Sequence, residues 1–330
     1  MKKKLRDNLD NFLAVFIILL CAFVAVFLID YTVLADRITA LSYAPSETIV
    51  NLTEALSLTE RAQLILAASQ PSVQSAADFQ ASCPVETTEA TVIGCYANNK
   101  IYIYDISRTE LDGIMQSTLA HELLHAAWDR LSATERKDLG AELLAFYNKH
   151  QSELLPYVEG YEGDKLLDEL HSLIGTSYAS TGSIVLDQHY DKYFEDRSNL
   201  ASFFSNYHST FQALNQKIET LYNQIVANQA QLSALTTNYT DAVTELNSAI
   251  EAFNKRASSG AFTSLESFES ERNLLLNQQT ALDELRRQIN NLSASTNVLI
   301  AEYNDALIYT NELLESVDSR LESPPITIGS

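Results

Sequence analysis

The last third of the chain carries its most regular pattern of hydrophobic positions. From Phe204 to Phe253, apolar or aromatic side chains recur at alternating spacings of three and four residues, with Asn228 as the one polar member. This spacing is typical of a left-handed coiled-coil seam. It stops at Ser258-Ser259-Gly260, and a weaker seam runs from Phe268 to Val317. We therefore expect a long antiparallel coiled-coil hairpin over residues 200–320. A parallel homodimer is the alternative, so self-association or another coiled-coil partner stays open.

An unbroken apolar run lies at the other end of the chain. Residues 12–29 are eighteen consecutive apolar residues, and the tail at 1–11 before them carries four cations. At about 1.5 Å per residue the run spans about 27 Å, enough for one transmembrane helix. The cations indicate a cytoplasmic N-terminus. We predict a single-pass anchor in the cell membrane with the bulk of the chain extracytoplasmic. A cleaved signal ending at Val33-Leu34-Ala35 is the alternative.

The residues between these segments predict a linker at 30–56 and a compact domain at 57–199. Three pairs of a serine and a glutamate three residues later have the spacing of capping boxes at helix starts. They are Ser57/Glu60, Ser107/Glu110 and Ser132/Glu135. The helices that we predict run over 58–69, 108–131, 133–149 and 164–174, the last ended by Gly175. A strand is expected over 100–105, which is rich in β-branched and aromatic residues.

The predicted fold class is mainly α, with an α+β domain that holds a small sheet. Residues 321–330 are expected to be a disordered tail.

The amino-acid composition favours helices and limits the kinds of partner that this chain can bind. With Gly 9 and Pro 6 in 330 residues, few positions interrupt helices. The net charge of −21 excludes nucleic acid as a partner, because phosphate binding needs an excess of lysine and arginine. Of the three cysteines, Cys21 lies in the predicted anchor, so Cys83 and Cys95 are expected to form a disulfide outside the cytoplasm. Two unpaired buried thiols are the alternative.

The motif that carries chemistry is His121-Glu122-Leu123-Leu124-His125, within the predicted helix at 108–131. Histidines four residues apart project from one helix face, so both imidazoles can bind a single Zn²⁺. Glu122 lies 100° around the helix, where it can act on a water held by the metal instead of binding the metal itself. The neighbours Ala120, Ala126 and Ala127 are uncharged, as in a buried helix.

At these residues the chain resembles the zincin superfamily of zinc metallopeptidases, over about 107–197. The metzincin branch continues with a glycine and a third histidine, which are absent here. The gluzincin branch takes a glutamate from a downstream helix, and Glu169 with Ser172 is similar to the Glu-x-x-Ser of the thermolysin type. The resemblance implies His121, His125 and Glu169 as zinc ligands and Glu122 as the general base. It also implies an edge strand that pairs with an extended peptide substrate, for which the strand at 101–104 is the candidate.

Other residues remain candidates beside this set. His171 is an alternative third ligand, but two residues from Glu169 on a helix it points about 200° away. Further alternatives for the third ligand are Glu159, Glu162 and His189. Asp129, one turn after His125, could orient that imidazole through its other ring nitrogen.

A donor to the transition-state oxyanion is also needed, and gluzincins use a histidine or a tyrosine for it. The candidates are His189, Tyr190, Tyr193 and Arg197.

The sequence thus predicts a membrane-anchored extracytoplasmic zinc metallopeptidase that hydrolyses peptide bonds in a peptide or protein substrate. One alternative is an envelope scaffold or adhesion protein whose coiled coil carries the function beside a structural or vestigial zinc site. Another is a hydrolase of cell-wall peptide cross-links.

Overall fold

The computed structural model describes residues 16–17, 31–83 and 93–319. Its helices are α1 Tyr31–Leu41, α2 Glu47–Glu54, α3 Glu60–Ala68, α4 Ala76–Ser82, α5 Ile114–Asp129, α6 Ala133–Lys149, α7 Gln151–Val158, α8 Gly163–Ser177, α9 Ile184–Tyr190, α10 Ser198–Ser258 and α11 Leu265–Val317. Its strands are β1 Ser72–Gln74, β2 Gly94–Ala97 and β3 Lys100–Tyr104. The expected class, mainly helical with a small sheet, is confirmed.

The two terminal predictions fall largely outside these ranges. The anchor at 12–29 is described only at Phe16 and Ile17, and the tails at 1–11 and 321–330 are not described. Within the part of the chain that the structure describes, no helix combines the length and the apolar character needed to cross a bilayer. The anchor therefore stays a prediction.

The described chain divides into two compact units. Unit 1 contains the described residues up to Thr210 together with Leu314 to Ser319, and unit 2 is Phe211–Leu313. The division falls inside α10 and α11. The first turns of α10 therefore belong to the unit that carries the His121–His125 motif.

Helix α5 runs through the middle of unit 1. It is packed on several sides, by α8, by α3 and by strands β2 and β3. The side chains without exposed surface include Leu119, Ala120, Leu123, Leu124, Ala126 and Ala127. A helix that is apolar on most of its circumference is stable only when it is buried, which accounts for the uncharged residues around the motif.

Residues 31–56 form two helices of unit 1, where the sequence suggested a linker. Helix α1 packs on α3, and α2 contacts α5. Ile49, Leu52 and Leu56 are all buried in the same core as the motif helix. Helix α2 has only three apolar side chains, Ile49, Val50 and Leu52, which give a weak periodic signal in the sequence.

Of the three helix starts predicted from serine–glutamate pairs, one agrees with the structure and two do not. Ser132 and Glu135 form a reciprocal capping box at α6, as expected. Helix α3 is capped instead by Thr59, whose side chain accepts from the Ala62 backbone N–H. Helix α5 begins only at Ile114, after a short 3₁₀ turn. The serine–glutamate spacing therefore marked a helix start correctly once and was off by a few residues or more elsewhere.

Gly175 does not end α8, contrary to the prediction. The helix continues to Ser177, and Gly175 lies where two helices approach closely. A Cβ at this position would lie 2.5 Å from Leu124 Cδ1 and 2.5 Å from Tyr190 Cε1. The missing side chain lets α8 pack closely against Leu124 of α5 and Tyr190 of α9.

The sheet has the order β1-β3-β2, with β3 parallel to β1 and antiparallel to β2. Gly94 pairs with Ile103 and Ala97 with Lys100. The strand at 101–104 was expected to be the edge strand, and this is wrong, because β3 is paired on both sides. The edge strand that contacts α5 is β2.

The expected Cys83–Cys95 pair lies at disulfide distance. The two Cα atoms are 6.2 Å apart, and the sequence separation is 12. Cys83 follows the last residue of α4, while Cys95 is the second residue of β2. The crosslink therefore holds the edge strand to the helix that precedes it.

Removal of this crosslink should weaken the fold. A Cys83→Ala/Cys95→Ala chain is expected to lose about 3 kcal/mol of unfolding free energy, because the reduced chain has more conformational freedom when unfolded. Urea denaturation of the full chain in detergent measures the change. Reductant should shift the parent by the same amount and the double variant not at all. Equal midpoints for parent and variant would contradict the prediction.

Unit 2 is the expected coiled-coil hairpin. Every predicted seam position from Phe211 to Phe253 is buried or half-buried. Tyr222, early in α10, faces Tyr303, late in α11, with ring centroids 6.4 Å apart. Phe253 faces Phe268 at 5.1 Å, near the connection between the helices. The two helices of one chain therefore pair antiparallel.

Two threonines complete the weaker seam on α11. Thr296 and Thr310 are buried at positions that continue the spacing. Each hydroxyl donates to the carbonyl four residues earlier, at 2.7 and 2.8 Å. The hydroxyl is thereby satisfied within the helix, and a threonine can occupy the seam.

Candidate metal centre

Helices α5 and α8 bring three candidate ligands together. His121 and His125 lie one turn apart on α5, and Glu169 lies on α8, which packs against it. Within the described ranges, these three form the one group of histidine, cysteine or carboxylate side chains whose ligand atoms converge, all within 4.8 Å of one another.

The separations suit a single zinc ion. His121 Nε2 and His125 Nε2 are 3.1 Å apart. Glu169 Oε1 lies 3.3 Å from His121 Nε2, and Glu169 Oε2 lies 3.5 Å from His125 Nε2. Ligand atoms about 2.0–2.1 Å from a tetrahedral ion lie about 3.3 Å from one another. The three side chains therefore fit Zn²⁺ without rearrangement of the helices.

The charges within the cluster attract one another strongly. Burial alone would raise the pKa of the Glu169 carboxyl, but the two facing imidazoles outweigh it, and the pKa is lowered. Burial alone would lower the pKa of His125, but hydrogen bonds to Asp168 and Glu169 outweigh it, and the pKa is raised well above its usual value. A buried carboxylate that faces two imidazoles at this distance favours a positive charge between them.

Asp168 orients one of the imidazoles. Its Oδ1 lies 2.8 Å from His125 Nδ1. A carboxylate at Nδ1 keeps the proton there and leaves Nε2 free to bind a metal. The sequence suggested Asp129 for this role, but Asp129 is largely exposed, and its carboxylate lies 3.9 Å from Arg136. Asp168, directly before Glu169, takes its place.

Replacement of Asp168 should weaken metal binding without removing a ligand. In an Asp168→Asn chain, His125 loses the carboxylate that fixes its tautomer, so we expect zinc affinity to fall about 10–100-fold. Competition with a chromophoric zinc chelator measures the affinity. Asp164→Asn, an exposed acid at the start of the same helix, is the matched control and should bind zinc as the parent does. An unchanged affinity in Asp168→Asn would remove Asp168 from the site.

Glu122 lies beside the cluster and is only 5% exposed. Its burial raises the pKa of its carboxyl, an effect that the neighbouring imidazoles of His125 and His121 reduce in part. On its other side it meets the edge strand. A Cβ on Gly94 would lie 2.9 Å from Glu122 Oε1 and would collide with Thr118 Cγ2. The first residue of β2 therefore has to be glycine for the strand to lie this close to the carboxylate.

The other candidate ligands do not belong to the converging group. His171 is fully buried, and its ring lies 5.1 Å from that of Trp128. Its Nε2 lies 2.9 Å from His189 Nε2. Burial lowers the pKa of His189 to about 3 and that of His171 well below its usual value. The two histidines form a neutral pair in the core. Glu159 and Glu162 are exposed and do not belong to the converging group.

The candidate oxyanion donors are also core residues. Tyr190 and Tyr193 are fully buried, and His189 is 4% exposed. The Tyr190 hydroxyl donates to the His171 carbonyl at 2.8 Å, and the Tyr193 ring packs on His189 and under Arg61. Arg197 donates to Asp187 at 2.5 Å. These contacts belong to the core, and His189 is not in the converging group.

Two features of the site had little signal in the sequence. Asp168 had only one signal, its position directly before Glu169, and its contact with His125 depends on how α8 packs on α5. Gly94 had none, because its role depends on how the edge strand packs on α5.

The chain was compared with models of known protein families, with curated proteins and with solved structures, and it matches none of them.

Proposed function

We propose that this chain is a membrane-anchored zinc peptidase whose catalytic unit lies outside the cytoplasm. The observation that carries the proposal is the convergence of His121, His125 and Glu169 at separations suited to one ion, with Glu122 beside them. Catalytic zinc sites have three protein ligands and keep a position for water, whereas structural sites are closed by a fourth ligand. The described residues add no fourth side chain to this group, which supports a catalytic role over a scaffold role.

Four side chains would hold and orient the zinc ion. His121 and His125 would hold Zn²⁺ through Nε2, and Glu169 through its carboxylate. A bound Zn²⁺ supplies a lowered pKa for its water ligand and polarisation of a carbonyl group. Asp168 keeps the His125 ring in the orientation that binding requires.

Glu122 would be the general base. It would accept a proton from the attacking water and deliver it to the nitrogen of the leaving amine. Its burial raises the pKa of its carboxyl above the usual value. A carboxyl with a raised pKa can hold the proton between the two transfers more readily than an exposed one, which suits this role.

The edge strand supports a peptide as the substrate. Among the described residues β2 pairs with β3 alone, so the N–H and C=O groups of its outer edge can pair with an extended peptide. Because Gly94 begins this strand and lies so close to Glu122 that an added Cβ would be 2.9 Å from Oε1, a peptide backbone paired there would run past the general base.

The extracytoplasmic location has separate support. Disulfides persist mainly in oxidising compartments, and Cys83 and Cys95 lie at disulfide distance. The apolar run at 12–29 with its cationic tail favours an anchor with this orientation.

Metal analysis joined to a cleavage assay tests the proposal. The full chain, purified in detergent, should contain one zinc ion per chain by elemental spectrometry and should cleave fluorescein-labelled casein. His121→Ala should lose both properties, while His208→Ala, a histidine outside the cluster, should keep both. A parent chain that takes up no zinc, or a His121→Ala chain that cleaves like the parent, would overturn the proposal.

A further inference from the structure

Helix α1 has its hydrophobic pattern reversed relative to a helix of a soluble domain. The side chains turned toward the rest of unit 1 are half-buried and small or polar: Ala35, Asp36, Thr39 and Ala40. The side chains turned outward are apolar: Val33, Leu34, Ile38 and Leu41, which are 39%, 40%, 63% and 88% exposed. At 100° per residue these four cover an arc of about 140°, as wide as the stripe that a helix ordinarily buries. We call them the outer face of α1.

The place of α1 in the chain indicates what covers this face. The apolar run ends at Ile29, and the described part of α1 starts at Tyr31. If 12–29 spans the bilayer, the described part of α1 therefore lies close to the membrane surface. Its 11 described residues are about 16 Å long, too short to cross the hydrocarbon core but long enough to lie along its boundary.

The outer face also has the composition of an interfacial helix. Such helices bury apolar side chains at the boundary between headgroups and acyl chains. Arg37 is exposed within the same arc. Its aliphatic stem can lie along the apolar surface while its guanidinium reaches lipid phosphates. A contiguous exposed apolar face of this kind marks a binding surface on a protein.

We propose that the outer face of α1 lies in the headgroup–acyl boundary of the bilayer that holds the anchor. The proposal rests on the anchor in the proposed function, and it adds a second, peripheral contact with the lipid.

This contact would be coupled to the motif helix through Arg130. Its guanidinium donates to both carboxylate oxygens of Asp36 on α1, at 2.7 and 2.8 Å. It also donates to the Ala126 carbonyl at 2.7 Å. The end of α5 is thereby joined to α1, so the candidate metal centre is held at a fixed position relative to the helix that lies on the membrane.

Site-specific fluorescence in vesicles tests the proposal. The full chain with Cys21→Ala is reconstituted in phosphatidylcholine–phosphatidylglycerol vesicles, and single cysteines are labelled with an environment-sensitive dye. The test positions are Ile38→Cys and Leu41→Cys, and both side chains are exposed enough to be replaced without disturbing the core. The controls are Glu47→Cys on α2 and Lys165→Cys on α8, both exposed. We expect the dye at 38 and 41 to be quenched by spin-labelled lipid and to be several-fold less sensitive to iodide than at the controls.

The other outcomes are each decisive. Iodide sensitivity at 38 and 41 equal to that at the controls would overturn the lipid contact while leaving the anchor and the zinc site intact. Shielding from iodide without quenching by spin-labelled lipid would overturn it in favour of a protein partner, such as a second copy of the chain. A chain that does not float with the vesicles would overturn both the anchor and the lipid contact, whereas the zinc and casein measurements would be unaffected.

Discussion

A Glu122→Gln chain is expected to retain its zinc and lose casein cleavage by about two to four orders of magnitude. The amide has nearly the shape of the carboxyl, so it fits the same buried position beside Thr118 and Gly94. It cannot accept the proton of the attacking water. Because Glu122 is not one of the three converging ligands, the metal content should be unchanged. Elemental spectrometry and the casein assay, run on the same preparation, measure the two quantities.

Glu159→Gln is the matched control, because Glu159 is an exposed acid outside the cluster. It should cleave casein as the parent does. If Glu122→Gln kept parental turnover, Glu122 would not be the base. If it lost its zinc as well, Glu122 would have to be treated as a ligand.

Gly94→Ala is expected to reduce cleavage by about 100-fold, since a displacement of about 1 Å in a catalytic group has an effect of this size. The new methyl group would collide with Thr118 Cγ2 and would lie 2.9 Å from Glu122 Oε1. Either the edge strand or the Glu122 carboxylate must move. Turnover of fluorescein-labelled casein and zinc content again measure the outcome, and the zinc content should not change.

A second substitution separates the two collisions. Thr118→Ser removes Cγ2 but keeps the hydroxyl that donates to the Ile114 carbonyl at 2.7 Å. In Gly94→Ala/Thr118→Ser, the thermal stability should recover toward that of the parent, while cleavage stays low because the contact with Glu122 remains. Full recovery of cleavage in the double variant would show that only Thr118 limits the position, and Gly94 would then have no role at the base.

The sequence was sufficient for the parts of the site that depend on helical spacing. His121, Glu122 and His125 are fixed relative to one another by one helix. Residues two positions apart on a helix point about 200° away from each other, so Glu169 and His171 are not expected to share one ion. It is Glu169 that converges with His121 and His125. Asp168 was missed because which acid reaches His125 Nδ1 depends on the rotation of α8 against α5, and nothing local encodes that rotation.

The fold shows the same division between local and tertiary information. The seam from Phe211 to Phe253 was predictable because one periodic pattern repeats many times. The β-branched and aromatic composition of 100–105 predicts a strand there, and 101–104 is the candidate for the edge strand that the resemblance implies because it directly precedes the motif helix. Gly94 to Ala97 has two small residues and gives little signal alone. Strand order depends on pairing between segments, and the stronger strand is the central one here.

The Cys83–Cys95 crosslink affects when the candidate metal centre acquires its final structure. Cys95 is adjacent to Gly94, which lies too close to Glu122 to carry a side chain, and the crosslink ties this strand to the end of α4. In the reducing cytoplasm the thiols would stay apart, and the strand beside the general base would lack this restraint. On the proposed function, the newly made chain would mature only after translocation, so export itself would delay the onset of proteolysis and spare the proteins of the cell interior.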